Sequence, residues 1–196
     1  LRRGGNALDA AITAELVLSL VEPQSSGIGG GAFLVYYAKN TGAIDTYDGR
    51  ETAPKSANPS MFLDEKDNPI KWHDASIGGL GVGVPGLLKM LELAHKEHGR
   101  LAWKDLFQPA IALARKGFPI SERLARQIKS ANQLSLDPNS KSYFFNADGS
   151  PKEAGTILAN PEFADTLTQV ANNGTKAFYT GKIAKSISYA VSNTTI

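Results

Sequence analysis

Residues 27–54 read GIGGGAFLVYYAKNTGAIDTYDGRETAP, and the fold turns on how this stretch is read. The segments 29–38 and 43–47 predict strands, and the short polar connection KNTG at 39–42 closes them into an antiparallel hairpin. Phe33, Leu34, Val35, Tyr36 and Tyr37 form an unbroken apolar and aromatic run, which predicts a strand covered on both faces. The glycines at 27–31 carry the letters of a dinucleotide fingerprint in the wrong context. Phosphates need a strand before the glycines and a helix after them, so that they meet a helix N-terminus. Here an apolar helix precedes and a strand follows. The remaining uses of such a run are positive φ and close approach of backbones. A strand edge bare of side chains also lets a second chain or a substrate lie against it.

A second glycine run, GVGVPG at 81–86, does enter a helix, but the preceding ASIGGL is a poor strand and Pro85 lacks an amide proton. The acid expected about 20 residues further on is missing, since Asp105 belongs to the next helix. This run reads as a structural turn.

Outward from the hairpin, Asn6 caps a helix over 7–21 with Asp9 in its first turn, and Pro23 ends it. The helix is apolar nearly all round, which predicts burial on several sides. Residues 51–77 are rich in Pro and charge and predict a long loop. Helices are expected over 87–98, stopped by Gly99, and over 103–114 with a kink or fresh start at Pro109. Ser121 caps another to about 131, and Asn160-Pro161 opens one that Gly174 closes. Ile183, Ile187 and Val191 mark the last. Residues 132–158 read as loop, with room for a small hairpin around Asp148-Gly149. The fold class is α+β, a sheet under helices.

The 196 residues are 42% hydrophobic and 20% charged, enough for a packed core. The net charge of +2, without clustered Lys and Arg, argues against a nucleic-acid or anionic-membrane partner. The absence of cysteine excludes disulfides, thiolate metal sites and a cysteine nucleophile. Asp9, Thr13, Glu15 and Ser19 interrupt the most apolar segment, so no membrane-spanning run is expected. The opening LRRGG resembles the last turn of a helix and its glycine stop. This gives the expectation of a piece cut from within a longer fold.

Several groups invite chemistry. His95 and His98 share a helix with Glu92 and suit a metal, but Lys96 and Glu97 beside them read as a solvated face. His73, next to Trp72 and Asp74, reads as a surface residue, and Asp64, Glu65 and Asp67 as a solvated charge run. No serine sits in a GxSxG elbow. Arg50 follows Asp48-Gly49 at the end of the second strand. Its fork can pair with Asp48 or Glu51, or grip a carboxylate in a cleft beside the sheet end.

Taken together, the stretches at 4–37, 44–54 (IDTYDGRETAP), 82–99 (VGVPGLLKMLELAHKEHG), 106–121 (LFQPAIALARKGFPIS) and 172–187 (NNGTKAFYTGKIAKSI) resemble a γ-glutamyltranspeptidase. The resemblance covers essentially the whole chain and implies an N-terminal-nucleophile hydrolase with an αββα sandwich. It implies a precursor that cuts itself into two subunits, with residues 1–196 an incomplete N-terminal segment of the large one. The partner is then the small subunit, whose new N-terminal Thr attacks γ-glutamyl donors such as glutathione. It implies no metal or organic cofactor, and a periplasmic or extracellular location. Arg50 falls on the arginine that holds the donor's α-carboxylate; the nucleophile lies outside this chain, so the segment alone is expected to be inactive. Gly49 departs from the aromatic often found before that arginine, a variant that resembles cephalosporin acylases and related amidases. An inactive binding module that keeps the fold is the remaining alternative.

Overall fold

A computed structural model describes residues 1–194, except the side chains of His73 and Asn132. The elements run α1 (Ala7–Val21), β1 (Phe33–Ala38), β2 (Ala43–Asp48), α2 (Trp72–Ser76), α3 (Leu87–His98), α4 (Trp103–Leu106), α5 (Gln108–Lys116) and β3 (Phe118–Pro119). They continue with α6 (Glu122–Ser130), a 3-10 turn (Asn132–Ser135), α7 (Pro138–Phe144), β4 (Ile157–Leu158), α8 (Pro161–Asn173), α9 (Lys176–Tyr179) and α10 (Gly181–Ser192). The α+β class holds: an antiparallel hairpin, a second small antiparallel pair and a layer of helices.

The core is built on α1. Asn6 and Asp9 form a reciprocal capping box, with Asp9 N–H donating to Asn6 Oδ1 at 3.0 Å and Asn6 N–H to Asp9 Oδ2 at 2.9 Å. Leu8, Ile12, Leu16 and Leu20 lie along one face and meet Leu88, Phe107 and Ala110 in a single apolar cluster. The expected burial on several sides holds except along one stripe: Ala7, Ala11, Ala14 and Leu18 are exposed on the opposite face. Alanine gives little contrast between faces, so periodicity could not tell which side was covered.

The hairpin begins at Phe33 rather than at 29, although Ala32 and Gly49 still exchange backbone hydrogen bonds of 3.2 and 2.9 Å beyond it. Phe33 pairs with Asp48, Tyr37 with Ile44, and Gly42 takes φ 73° in the turn. Burial alternates along β1. Leu34 and Tyr36 face the core, whereas Phe33, Val35, Tyr37 and Ile44 are 65%, 71%, 60% and 65% exposed. Coverage on both faces is therefore corrected to one face in this chain.

The inner face is tied to α3 by groups that sequence reasoning assigned to solvent. Tyr36 stacks on His98 with ring centroids 4.2 Å apart. His98 Nε2 lies 3.0 Å from Asp45 Oδ2, and Tyr47 Oη–H donates to Glu97. Burial, then the Glu97 carboxylate, pushes the Tyr47 phenol upward. His95 Nε2 lies 2.9 Å from the Leu101 carbonyl oxygen. Both histidines belong to packed contacts. The surface reading of His73 falls on a side chain outside the described residues.

Asp9 reaches further than its own helix. Its buried carboxylate also accepts the backbone N–H groups of Arg100 and Leu101 at 3.1 and 3.2 Å, pinning the α3–α4 connection to the start of α1. Pro109 gives the fresh start expected of it, separating α4 from α5. Ser121 caps α6 through Leu124 N–H at 3.0 Å. The β3–β4 pair, α7 and α9 interrupt segments read as loop or as part of longer helices. Residues 51–77 are largely irregular apart from α2, and no described helix is long and apolar enough to cross a membrane.

Glu92 couples α3 to the α8–α9 junction. Its Oε1 accepts Thr175 N–H at 3.1 Å, and Lys89 and Lys96 lie 3.1 and 3.2 Å from Oε2. Burial alone would raise this carboxyl, but the Thr175 N–H and the two lysines prevail and bring it from 4.5 to about 2. The folded state therefore holds this proton more weakly than the unfolded chain, so the interaction stabilises fully above pH 4.5 and is lost as pH falls toward 2. Because both lysines are exposed, solvent screening leaves about 1–2 kcal/mol. Urea unfolding of the full-length protein should lose that much more stability across this window than Glu92→Gln does. Parallel curves would refute the coupling.

Candidate functional site

The site forms where the two glycine runs meet. The Gly30 carbonyl accepts both Gly86 N–H and Leu87 N–H at 3.1 Å, so the loop before β1 caps the first turn of α3. These amides are the ones a phosphate would need at the second run, and they are already engaged. The Thr52–Val84 bridge, with bonds of 3.2 and 2.8 Å, continues this seam. Between the two runs passes the Gly49–Arg50 segment at the end of β2.

Close approach explains some of the glycines. A Cβ at Gly31 would fall 2.5 Å from Gly49 O and 2.8 Å from Arg50 Cα. One at Gly86 would collide with Gly49 O and sit 2.8 Å from Arg50 O. At Gly27 and Gly29 the space is open, so close packing does not account for them. Gly49 itself is buried, and a Cβ there would lie 2.5 Å from Met90 Cβ and 2.8 Å from Sδ. A side chain at this position would run into α3 rather than line the cleft.

Arg50 is exposed and lines an open cleft of about 370 Å³, together with Glu51, Met61, Phe62, Leu80 and Val82. Neither ion pair expected from sequence forms. The Asp48 carboxylate instead accepts the Arg50 backbone N–H at 2.9 Å, and among the described residues the guanidinium has no ion pair. A planar cation with free donors, fixed at its backbone beside a largely apolar cleft, is suited to take a carboxylate in two parallel hydrogen bonds. Met90 is the participant sequence reasoning missed, and Asp48, expected at the guanidinium, serves the backbone instead. For Asp48 the signal was there, as Asp two residues before a turn amide is an Asx turn.

The other candidates do not join this cleft. His95 and His98 pack against the hairpin and α4, and among the described residues no group of His, Asp and Glu is arranged to hold a metal. Asp64 accepts the backbone N–H groups of Asn68 and Lys66 in its own turn, which lowers its pKa.

The family model described as gamma-glutamyltranspeptidase matches residues 1–195. The chain is 45% identical over 183 residues to glutathione hydrolase 2 of Arabidopsis thaliana, covering 93% of this chain and 30% of that protein. It is 42% identical over 191 residues to the glutathione hydrolase proenzyme of Bacillus subtilis strain 168, covering 97% and 32%. The crystal structure of Helicobacter pylori gamma-glutamyltranspeptidase superposes with a TM-score of 0.93 at 35% identity, over 98% of this chain and 55% of that one. The chain thus spans about a third of the length of these curated relatives.

Proposed function

The chain belongs to the gamma-glutamyltranspeptidase family, and from that membership we propose that it is part of the large subunit of an enzyme that transfers or hydrolyses the γ-glutamyl group of glutathione-like donors. Residues 1–196 supply the wall that orients the donor. Arg50 takes the α-carboxylate in its guanidinium fork, and an N-terminal Thr of the small subunit attacks the γ-amide. The acyl-enzyme then passes the γ-glutamyl group to water or to an amine. On this reading the segment alone has no activity, because the nucleophile comes from the other subunit. The exposed side of the hairpin, with Phe33, Val35 and Tyr37, is where the second sheet of the sandwich rests.

The single observation that supports this reading is that Arg50 lines a cleft at the sheet end while its guanidinium is free of any ion pair among the described residues. The test uses the full-length enzyme with γ-glutamyl-p-nitroanilide and glutaryl-p-nitroanilide. Release of nitroaniline from the first, faster when an amino acid is added, is the expected result. Preference for the glutaryl donor would assign an acylase instead. Inertness toward both would leave a binding module.

A further inference from the structure

We propose that Gly31, Gly86 and Met90 are positioning residues for Arg50, three contacts that hold its backbone so that its fork meets the donor carboxylate. The proposal rests on the reading of Arg50 as the donor's ligand. Nothing holds the guanidinium itself among the described residues, so its aim is set from the backbone end of a long, flexible side chain. An error of about an ångström there forfeits the second hydrogen bond of a bidentate pair.

The backbone is gripped from three directions. Gly31 closes on Gly49 O, Arg50 Cα and Glu51 N, the last two each 2.8 Å from where its Cβ would be. Gly86 closes on Gly49 O and Arg50 O at the start of α3. From within the core, Met90 of α3 fills the space that a side chain at Gly49 would take, with Sδ 2.8 Å from that Cβ position; it is 5% exposed. None of Gly31, Gly49 and Gly86 has positive φ. Strain is therefore not the reason for glycine at these places; space is. An alanine there keeps the local backbone preference and tests the clearance alone. The jaws are also one unit, since Gly30 O holds Gly86 N–H and Leu87 N–H, so the loop before β1 and the first turn of α3 move together.

The experiment is a double-mutant cycle in the full-length enzyme with γ-glutamyl-p-nitroanilide. Gly31→Ala and Gly86→Ala should each raise KM on the order of tenfold with kcat changed far less, a loss of about 1.4 kcal/mol by the tenfold rule. In an Arg50→Lys background the same substitutions should add less than about threefold, because the group they aim is gone. Met90→Ala should behave like Gly31→Ala, and Met90→Leu should restore KM, which keeps the test alive if a glycine variant fails to fold. A fall in kcat with unchanged KM, or KM effects that multiply fully in the Arg50→Lys background, would assign these residues a purely structural role and overturn the proposal. If Arg50→Lys raises KM while the glycine and methionine variants do not, the positioning role alone falls. If Arg50→Lys leaves KM unmoved, the donor reading falls, and the premise with it.

Discussion

Arg50→Lys in the full-length enzyme is expected to raise KM for a γ-glutamyl donor roughly 10- to 100-fold while lowering kcat much less. The guanidinium offers a planar fork that matches both carboxylate oxygens, whereas an ammonium at the end of a flexible stem offers one point of contact. A charge-assisted hydrogen bond contributes about 1.5–3 kcal/mol, and losing one of a parallel pair gives a factor in that range. On the proposed reading the contact would hold a part of the donor that does not react, so it would strengthen ground state and transition state alike and appear in KM. The structure adds a reason to expect a clean effect. Asp48 is bonded to the Arg50 amide rather than to its side chain, so no internal ion pair is broken by the change. A KM within twofold of the parent would remove Arg50 from the donor site.

Asp9→Ala should destabilise the full-length protein by about 3–4 kcal/mol, read from the urea midpoint at constant m. The carboxylate is 2% exposed and accepts N–H groups from Asn6, Arg100 and Leu101. Truncation leaves those part-buried donors without their partner, at about 1–3 kcal/mol for the worst placed of them, and removes one arm of the capping box, typically worth about 1 kcal/mol. Asp9→Asn keeps an acceptor oxygen without the charge and should lose about half as much. A loss under about 1 kcal/mol for Asp9→Ala would mean that water replaces the carboxylate readily at this junction.

Much of the fold could be read from the chain because its helices carry their own punctuation. Asn6, Ser121 and Asn160 supply caps, Gly99 and Gly174 supply stops, and Pro109 supplies a start, and each does so in the structure. The elements that escaped are short and defined by distant partners. The β3–β4 pair joins Phe118 to Leu158 across 40 positions, and α9 holds four residues behind Thr175, whose amide is fixed by Glu92. Local preference has little to say about either. The histidines of α3 were misread for a related reason. A helical stretch of His, Lys and Glu looks wet until a tyrosine from β1 lies on it. At the proposed site, the sequence put Arg50 just past a strand end, and the structure has it there. What decides the arrangement is the clearance between backbones at Gly31 and Gly86, which sequence registers only as a glycine among many.

The shared acceptor at Gly30 also bears on how such a chain can diverge. One oxygen atom serves two stretches that lie more than 50 positions apart in the polypeptide. Adding or deleting a residue in either would slide one donor out of reach, so length changes there are tolerable only as matched pairs. The exposed turn at 64–68 between them is bonded only within itself and has no such tether, so it can change length more easily. Descendants of this chain should therefore differ in size at that turn while keeping the count of residues at the two ends of the seam.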